Sequence, residues 1–297
     1  SRERVVALGS SRIVVWQLAD EGVSELWAGE GRAATLPLAT EDGRTLAVAR
    51  NRADEVLIDL VDLDRARSIA SWTTSAFTDW AIADDGDLIA LVDDTRRGRS
   101  VDAGNGEVVA DFFHERELER VFFVNGAVVV VDTAGAILGW PPEQTARTLT
   151  TATATYFGTT TFPDAIGISA GAGSLGFFDD DGLVSVNRLD DGRRRALAGH
   201  GAGHPTALRL SPDGERLVTA AGTTLRLWQP GPSDELSRVP GNASALALAD
   251  DGSVAAVGYR NGQVRLIHRL SSQDVTAAPA IEYFGHRGVV TSLAFDA

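Results

Sequence analysis

Gly199-His200-Gly-Ala-Gly-His204 holds two histidines four apart, the spacing of paired zinc ligands on one face of a helix. The Gly-Ala-Gly between them does not sustain a helix, and the 297-residue chain has no cysteine to complete a site. A second motif, Gly-Ala-Gly-Ser-Leu-Gly at 171–176, fits the dinucleotide-binding glycine pattern after a strand-like Ile-Gly-Ile-Ser. That pattern works by aiming the amides of a following helix at a pyrophosphate. Here Phe-Phe-Asp-Asp-Asp-Gly-Leu-Val-Ser-Val follows, which reads as a turn and another strand. The acidic groups Asp84-Asp85, Asp179-Asp180-Asp181, Asp190-Asp191 and Asp250-Asp251 each precede a glycine. Asp-Gly is ordinary turn chemistry, whereas a calcium loop alternates its carboxylates over about a dozen residues. No catalytic, cofactor-binding or metal-binding residue is assigned from these motifs. His114 and His286 stand at similar junctions between strands, and His268 reads as a surface residue.

The sharpest basic run is Arg193-Arg194-Arg195, followed by Arg96-Arg97 with Arg99. Its first reading is a solvated outer rim; its second is a patch for an anion or acidic partner, since guanidinium forks match carboxylate and phosphate. All 27 basic residues are arginine, against 41 acidic ones, for a formal net charge of −14. Such a chain repels phosphate backbones and anionic lipid surfaces, which argues against nucleic-acid or membrane binding. No stretch approaches the roughly 18 apolar residues of a membrane span. The lack of cysteine excludes disulfides and thiol nucleophiles and fits a reducing, cytoplasmic compartment. The chain opens on Ser1 without an initiator methionine or signal-like segment, so an excised or processed piece is expected.

The elements that must position these residues come from a repeat. Thr-Leu-Pro-Leu-Ala-Thr-Glu-Asp-Gly, Thr-Ala-Leu-Arg-Leu-Ser-Pro-Asp-Gly and Ser-Ala-Leu-Ala-Leu-Ala-Asp-Asp-Gly are three copies of one pattern. Anchored on its second apolar residue, the pattern falls at Leu38, Ile82, Phe123, Ile168, Leu210, Leu248 and Phe295, spaced 38 to 47 residues apart. Each unit reads as four short strands with period-two alternation and turns between them, the length of a propeller blade. The predicted fold is all-β: a single seven-bladed β-propeller of four-stranded antiparallel blades. Blade 1 is expected from about 289–297 plus 4–30, so that a blade shared by the N- and C-terminal segments closes the ring. Blades 2–7 are expected at about 33–72, 77–114, 118–155, 164–199, 206–240 and 244–286. Pro37 is tolerated because the innermost strand is a sheet edge.

The unit Gly199–Gln229 resembles the WD-repeat β-propeller family. Gly285-His286 repeats the Gly-His element, and Trp16 repeats the third-strand tryptophan seen at Trp228. The resemblance implies a buried hydrogen-bond relay in each blade, carried onto His200, Thr219 and Trp228, with His286 and Trp16 as counterparts elsewhere. Gly222 stands where the family's turn aspartate is expected, and Ile267 where blade seven would have its tryptophan. The resemblance also implies a non-catalytic protein-interaction module whose partner docks on loops at the narrower face. By loop position the candidates are Arg52, Glu115, Arg116, Arg260 and Arg287. Any exposed tryptophan among Trp27, Trp72, Trp80 and Trp140 would be a further hot-spot candidate.

Arginine-only, cysteine-free segments of this type look like those of large multidomain proteins of GC-rich bacteria, beside a Ser/Thr kinase, a STAND-type NTPase or a protease. The expected partner is therefore a protein, a peptide or another domain of the same polypeptide, with no cofactor. The rival class is a propeller enzyme, a hydrolase, lactonase or lyase, with a metal or a carboxylate/histidine cluster at the channel mouth.

Overall fold

The computed structural model describes residues 3–19, 22–40, 42–140, 148–150, 154–161, 166–169, 173–179, 181–189, 193–197, 200, 205–211, 213–222, 224–228, 235–240, 243–249, 253–268, 280–284, 288–291 and 293. Among them there is no helix, and the strands form seven sheets.

The first sheet has three strands, β1 (Glu3–Leu8), β2 (Arg12–Ala19) and β3 (Gly22–Glu30). The second is the meander β4 (Leu38–Ala39), β5 (Thr45–Arg52), β6 (Glu55–Asp62) and β7 (Arg67–Thr74). The third runs β8 (Asp79–Ile82), β9 (Leu88–Val92), β10 (Arg97–Asp102) and β11 (Val108–Phe113). The fourth contains β12 (Leu118–Val124), β13 (Ala127–Asp132), β14 (Ala136–Trp140) and, past β15 (Thr148–Thr150), β16 (Thr155–Thr159). Strand β15 instead joins the third sheet as a fifth member, parallel to β11. The fifth sheet is β17 (Ile166–Ser169), β18 (Ser174–Phe178), β19 (Val184–Arg188) and β20 (Arg194–Leu197). The sixth is β21 (Pro205–Leu210), β22 (Leu217–Ala221), β23 (Thr224–Trp228) and β24 (Glu235–Pro240). The seventh is β25 (Ala243–Leu248), β26 (Val254–Tyr259), β27 (Gln263–His268) and β28 (Ala280–Phe284). Seven successive up-and-down sheets are the blades of a propeller. Pro37 precedes the two-residue edge strand β4, where no ladder donor is lost.

The chain divides into two compact units, 1–133 with 138–156, and 134–137 with 157–297. Within each, the core lies in slabs between consecutive sheets. In the first unit, Ala47, Ile58 and Leu60 of the second sheet pack with Trp80, Ile89 and Leu91 of the third. In the second, Val218, Leu225 and Leu227 of the sixth pack with Leu246, Ala255 and Val257 of the seventh. Strands covered on both faces favour near-continuous apolar runs, and β13, Ala-Val-Val-Val-Val-Asp, is buried along its whole length.

The Asp-Gly steps are turn chemistry where the structure describes them. Asp42, Asp85 and Asp213 each sit one residue before a left-handed glycine, Gly43, Gly86 or Gly214, with φ of 65°, 79° and 68°. Each accepts the amide two residues on through Oδ1, from Arg44, Asp87 and Glu215 at 3.0, 3.0 and 2.9 Å. Asp179 accepts the amides of Asp181 and Leu183. Asp180, Asp190, Asp191, Asp250 and Asp251 lie outside the described residues.

At the other end of the chain, Val290 is buried against the seventh sheet, donating its amide to Tyr259 O and accepting the Ser244 hydroxyl at 2.7 Å. Thr206 of the sixth sheet makes the corresponding contact, at 3.5 Å, to Ala243 O, where the seventh sheet begins. Val290 thus stands to the seventh sheet as Ala243 stands to the sixth. The pairing expected between the tail and β1 involves Ser292 and residues 294–297, outside the described residues.

Candidate functional site

The sixth sheet contains a closed hydrogen-bond relay. His200, before β21, places Nε2 at 2.6 Å from Thr219 Oγ1 on β22 and Nδ1 at 2.8 Å from Thr224 Oγ1 on β23. Trp228 donates its indole N–H to Thr219 Oγ1 at 2.7 Å. Thr224 donates its hydroxyl to Ala221 O at 3.1 Å, so toward His200 it acts as acceptor and Nδ1 carries the proton. Nε2 is then the acceptor, and the Thr219 hydroxyl donates to it. One tautomer satisfies every member, which is what burial of His200, Thr219 and Trp228 demands. Gly222 does leave the usual acidic position empty of a side chain, and Thr224, two residues later, supplies the missing acceptor.

The histidine at the start of the fourth sheet uses an acid instead. His114 Nε2 lies 2.7 Å from Asp132 Oδ2, with side chains 8% and 2% exposed. In the second sheet Arg50 donates Nε to Asp59 Oδ2 at 2.7 Å and also bonds it through Nη2, while Ser71 donates to Asp59 Oδ1 at 2.8 Å. Sequence reasoning missed this ion pair because charged residues inside a strand alternation look solvent-facing.

The tryptophans hold sheets together. Trp16 is half-buried on β2, and none of the six is exposed. Trp27 donates to Ser68 Oγ at 2.9 Å, Trp72 to Ala103 O at 3.0 Å and Trp80 to Leu36 O at 3.2 Å. These partners lie 41, 31 and 44 residues away, about one repeat. A hot-spot role for an exposed tryptophan is thereby replaced by an internal one.

The residues expected to meet a partner sit at second-to-third and fourth-to-first strand connections. Arg52 is exposed at the tip of the β5–β6 hairpin, beside Ala53 with φ 51°. Glu115 and Arg116 are exposed between β11 and β12, and Arg260 in the β26–β27 turn. Arg287, His204 and His286 lie outside the described residues. Among the described residues no group of three or more His, Asp or Glu is arranged to hold a metal ion.

Two glycine motifs resolve by context. Gly173 is followed at once by strand β18, which leaves no helix N-terminus for a pyrophosphate. Gly167-Ile-Ser169-Ala-Gly171 has nucleophile-elbow spacing, which sequence reading overlooked. An elbow needs a strand-to-helix turn, whereas β17 pairs antiparallel with the strand that follows it.

Comparison with known proteins agrees with this geometry. Residues 193–229 match the family "WD domain, G-beta repeat". The chain superposes with a TM-score of 0.70 on the crystal structure of the computationally designed Ika8 protein, at 17% identity, covering 100% of this chain and 89% of that one. That likeness concerns the fold. No curated protein matches the sequence.

Proposed function

We propose that this WD-repeat β-propeller is a non-catalytic protein-interaction module, the scaffold or sensor part of a larger bacterial multidomain protein. The WD-repeat match supports an interaction role, because repeats of this family generally mediate protein–protein contacts. The single observation that carries the reading is the contrast between satisfied interior polar groups and charged connections. His200 uses both ring nitrogens within the sheet and His114 is bonded to Asp132, so these two histidines are built into blade structure. Arg52, Glu115, Arg116 and Arg260 are exposed on short connections between rigid strands, where recognition residues concentrate.

The test is affinity capture with the 297-residue chain and an R52E/R116E/R260E variant of equal stability. The expected result is a defined protein or peptide partner that the wild type retains and the variant loses. Equal retention by both, or no partner for either, overturns the assignment of these loops. A thermal-shift scan with calcium and zinc checks the enzymatic alternative, since a tightly bound metal raises the melting temperature.

A further inference from the structure

A cleft of about 580 Å³ opens in the second compact unit, between the outer part of the fifth sheet and the first turn of the sixth. One wall carries Arg188, at the end of β19, and Arg193, Arg194 and Arg195, where β20 begins. The other carries Asp213 and Glu215 of the β21–β22 turn. Four arginines thus line a cleft together with two acidic residues, in a chain whose formal net charge is −14.

We infer that this cleft binds an oxyanion, a phosphate monoester or carboxylate, on a ligand that also offers a hydroxyl or amine donor. The strand register puts Arg188, Arg193 and Arg195 on one face of the fifth sheet and Arg194 on the other, and the planar donor forks of those three match oxyanions in pairs of parallel hydrogen bonds. The volume falls in the range of ligand pockets, about 300–1,000 Å³, and fits a phosphorylated side chain or a small organic anion.

The acidic wall is preorganised. Asp213 accepts the Ser211 hydroxyl and the Glu215 amide, and Gly214 closes the turn with its amide on Ser211 O at 2.8 Å. The basic wall is braced as well: Arg194 donates to Ser185 Oγ at 3.1 Å and lies 3.6 Å from Asp179 Oδ2, and the other three arginines also have contacts within the protein. A carboxylate pair across from the arginines disfavours a bare polyanion and favours a ligand of mixed polarity.

The cleft is built from first-to-second and third-to-fourth strand connections. Arg260 lies at a second-to-third connection, the other end of the strands in a meander. Oxyanion binding therefore stands or falls apart from the interaction loops.

The experiment is calorimetric titration of the full chain with inorganic pyrophosphate, O-phosphoserine, and a neutral pentapeptide with and without a central phosphoserine. Wild type is expected to bind O-phosphoserine or the phosphopeptide more tightly than pyrophosphate, and more weakly as salt rises; binding of pyrophosphate alone overturns the inference. The R193S/R195S variant, and separately R188Q, should bind about tenfold more weakly, the order expected when charge-assisted bonds are lost. The R260E control should bind as wild type does. Preference for the phosphopeptide over both small probes identifies a protein source, and preference for O-phosphoserine a free small anion. No binding by wild type to any probe overturns the inference, as does equal affinity in both arginine variants.

Discussion

Arg50 and Asp59 occupy in the second sheet the places that Thr219 and Trp228 occupy in the sixth. Arg50 lies two residues before Arg52, which pairs with Glu55 across the hairpin, and Asp59 lies four after Glu55. Thr219 lies two before Ala221, which pairs with Thr224, and Trp228 four after Thr224. One position thus joins the second strand to the third by an indole–hydroxyl bond in one sheet and by an ion pair in the other. Arg50 also donates through Nη1 to Glu30 O at the end of β3, tying the second sheet to the first.

The ion pair is deeply placed, with the Arg50 and Asp59 side chains 15% and 5% exposed. Removing one partner of such a pair costs about 3–5 kcal/mol, while replacing both by apolar residues is close to neutral. Asp59→Leu is expected to lower the urea midpoint strongly, and R50L/D59L to recover most of the loss. A double variant as unstable as the single one would show that the two residues do not act as a unit.

The sixth-sheet relay makes a graded prediction. Thr219→Val removes an acceptor for Trp228 and a donor for His200, whereas Thr224→Val removes the acceptor for Nδ1–H and a donor to Ala221 O. Each unsatisfied buried group costs about 1–3 kcal/mol, and Thr224 is only half-buried where Thr219 is fully buried, so Thr219→Val should destabilise more than Thr224→Val. Thr219→Ser keeps the hydroxyl and should restore most of the stability. Nitrogen-15 NMR of the imidazole should show the Nδ1–H tautomer; an Nε2–H tautomer would contradict the donor order.

The sequence carried the repeat because each unit must alternate apolar residues and then turn at an Asp-Gly or its equivalent. Leu38, Leu210 and Leu248 were therefore readable as first strands, and Asp42, Asp85 and Asp213 as turn formers. The relay was partly readable, since His200, Thr219 and Trp228 are the residue types a hydroxyl-bridged network needs. Its replacement by Arg50 and Asp59 was not, because burial of a charged pair depends on neighbouring sheets. The bonds of Trp27, Trp72 and Trp80 were hidden for the same reason: each partner is roughly a repeat away, beyond any local pattern. Strand β15 was equally opaque, as Thr-Leu-Thr does not reveal that it will join the third sheet in parallel.

Acid should expose the turn motif. The Arg44 amide and then the Thr40 hydroxyl hold the Asp42 carboxyl below its ordinary value of 3.8. For Asp213, partial burial works against ionisation, but the Ser211 hydroxyl and Glu215 amide outweigh it and the net shift is again downward. A lowered folded-state pKa contributes stability that is present above the unfolded value and lost as pH falls through the folded one. Stability should therefore decline on acidification below about pH 4, the ordinary aspartate range. Thr40→Val and Ser211→Ala should each reduce stability at pH 7 and flatten the acid limb. A variant with an unchanged pH slope in urea titrations would remove the hydroxyl from this account.

Two glycines are fixed by close approach. A β-carbon on Gly98 would lie 1.7 Å from Cε2 of Phe112, its cross-strand partner in β11. That ring has nowhere to go: it is buried and stacks on Trp140 with centroids 4.9 Å apart. At Gly135, φ is +80° and a β-carbon would meet Thr160 O at 1.7 Å, while the Thr160 amide donates to Gly135 O at 2.8 Å. Overpacking a core costs about 1–3 kcal/mol when side chains can shift. Gly98→Ala should fall at the upper end of that range, because an aromatic pair must move together. Gly135→Ala should exceed it, because backbone rather than a side chain blocks the space and the left-handed conformation is lost as well. Pairing Gly98→Ala with Phe112→Leu separates the causes. If the ring contact is what matters, the double variant should be more stable than Gly98→Ala alone, measured by urea unfolding. A double variant less stable than either single would place the cost in the strand backbone.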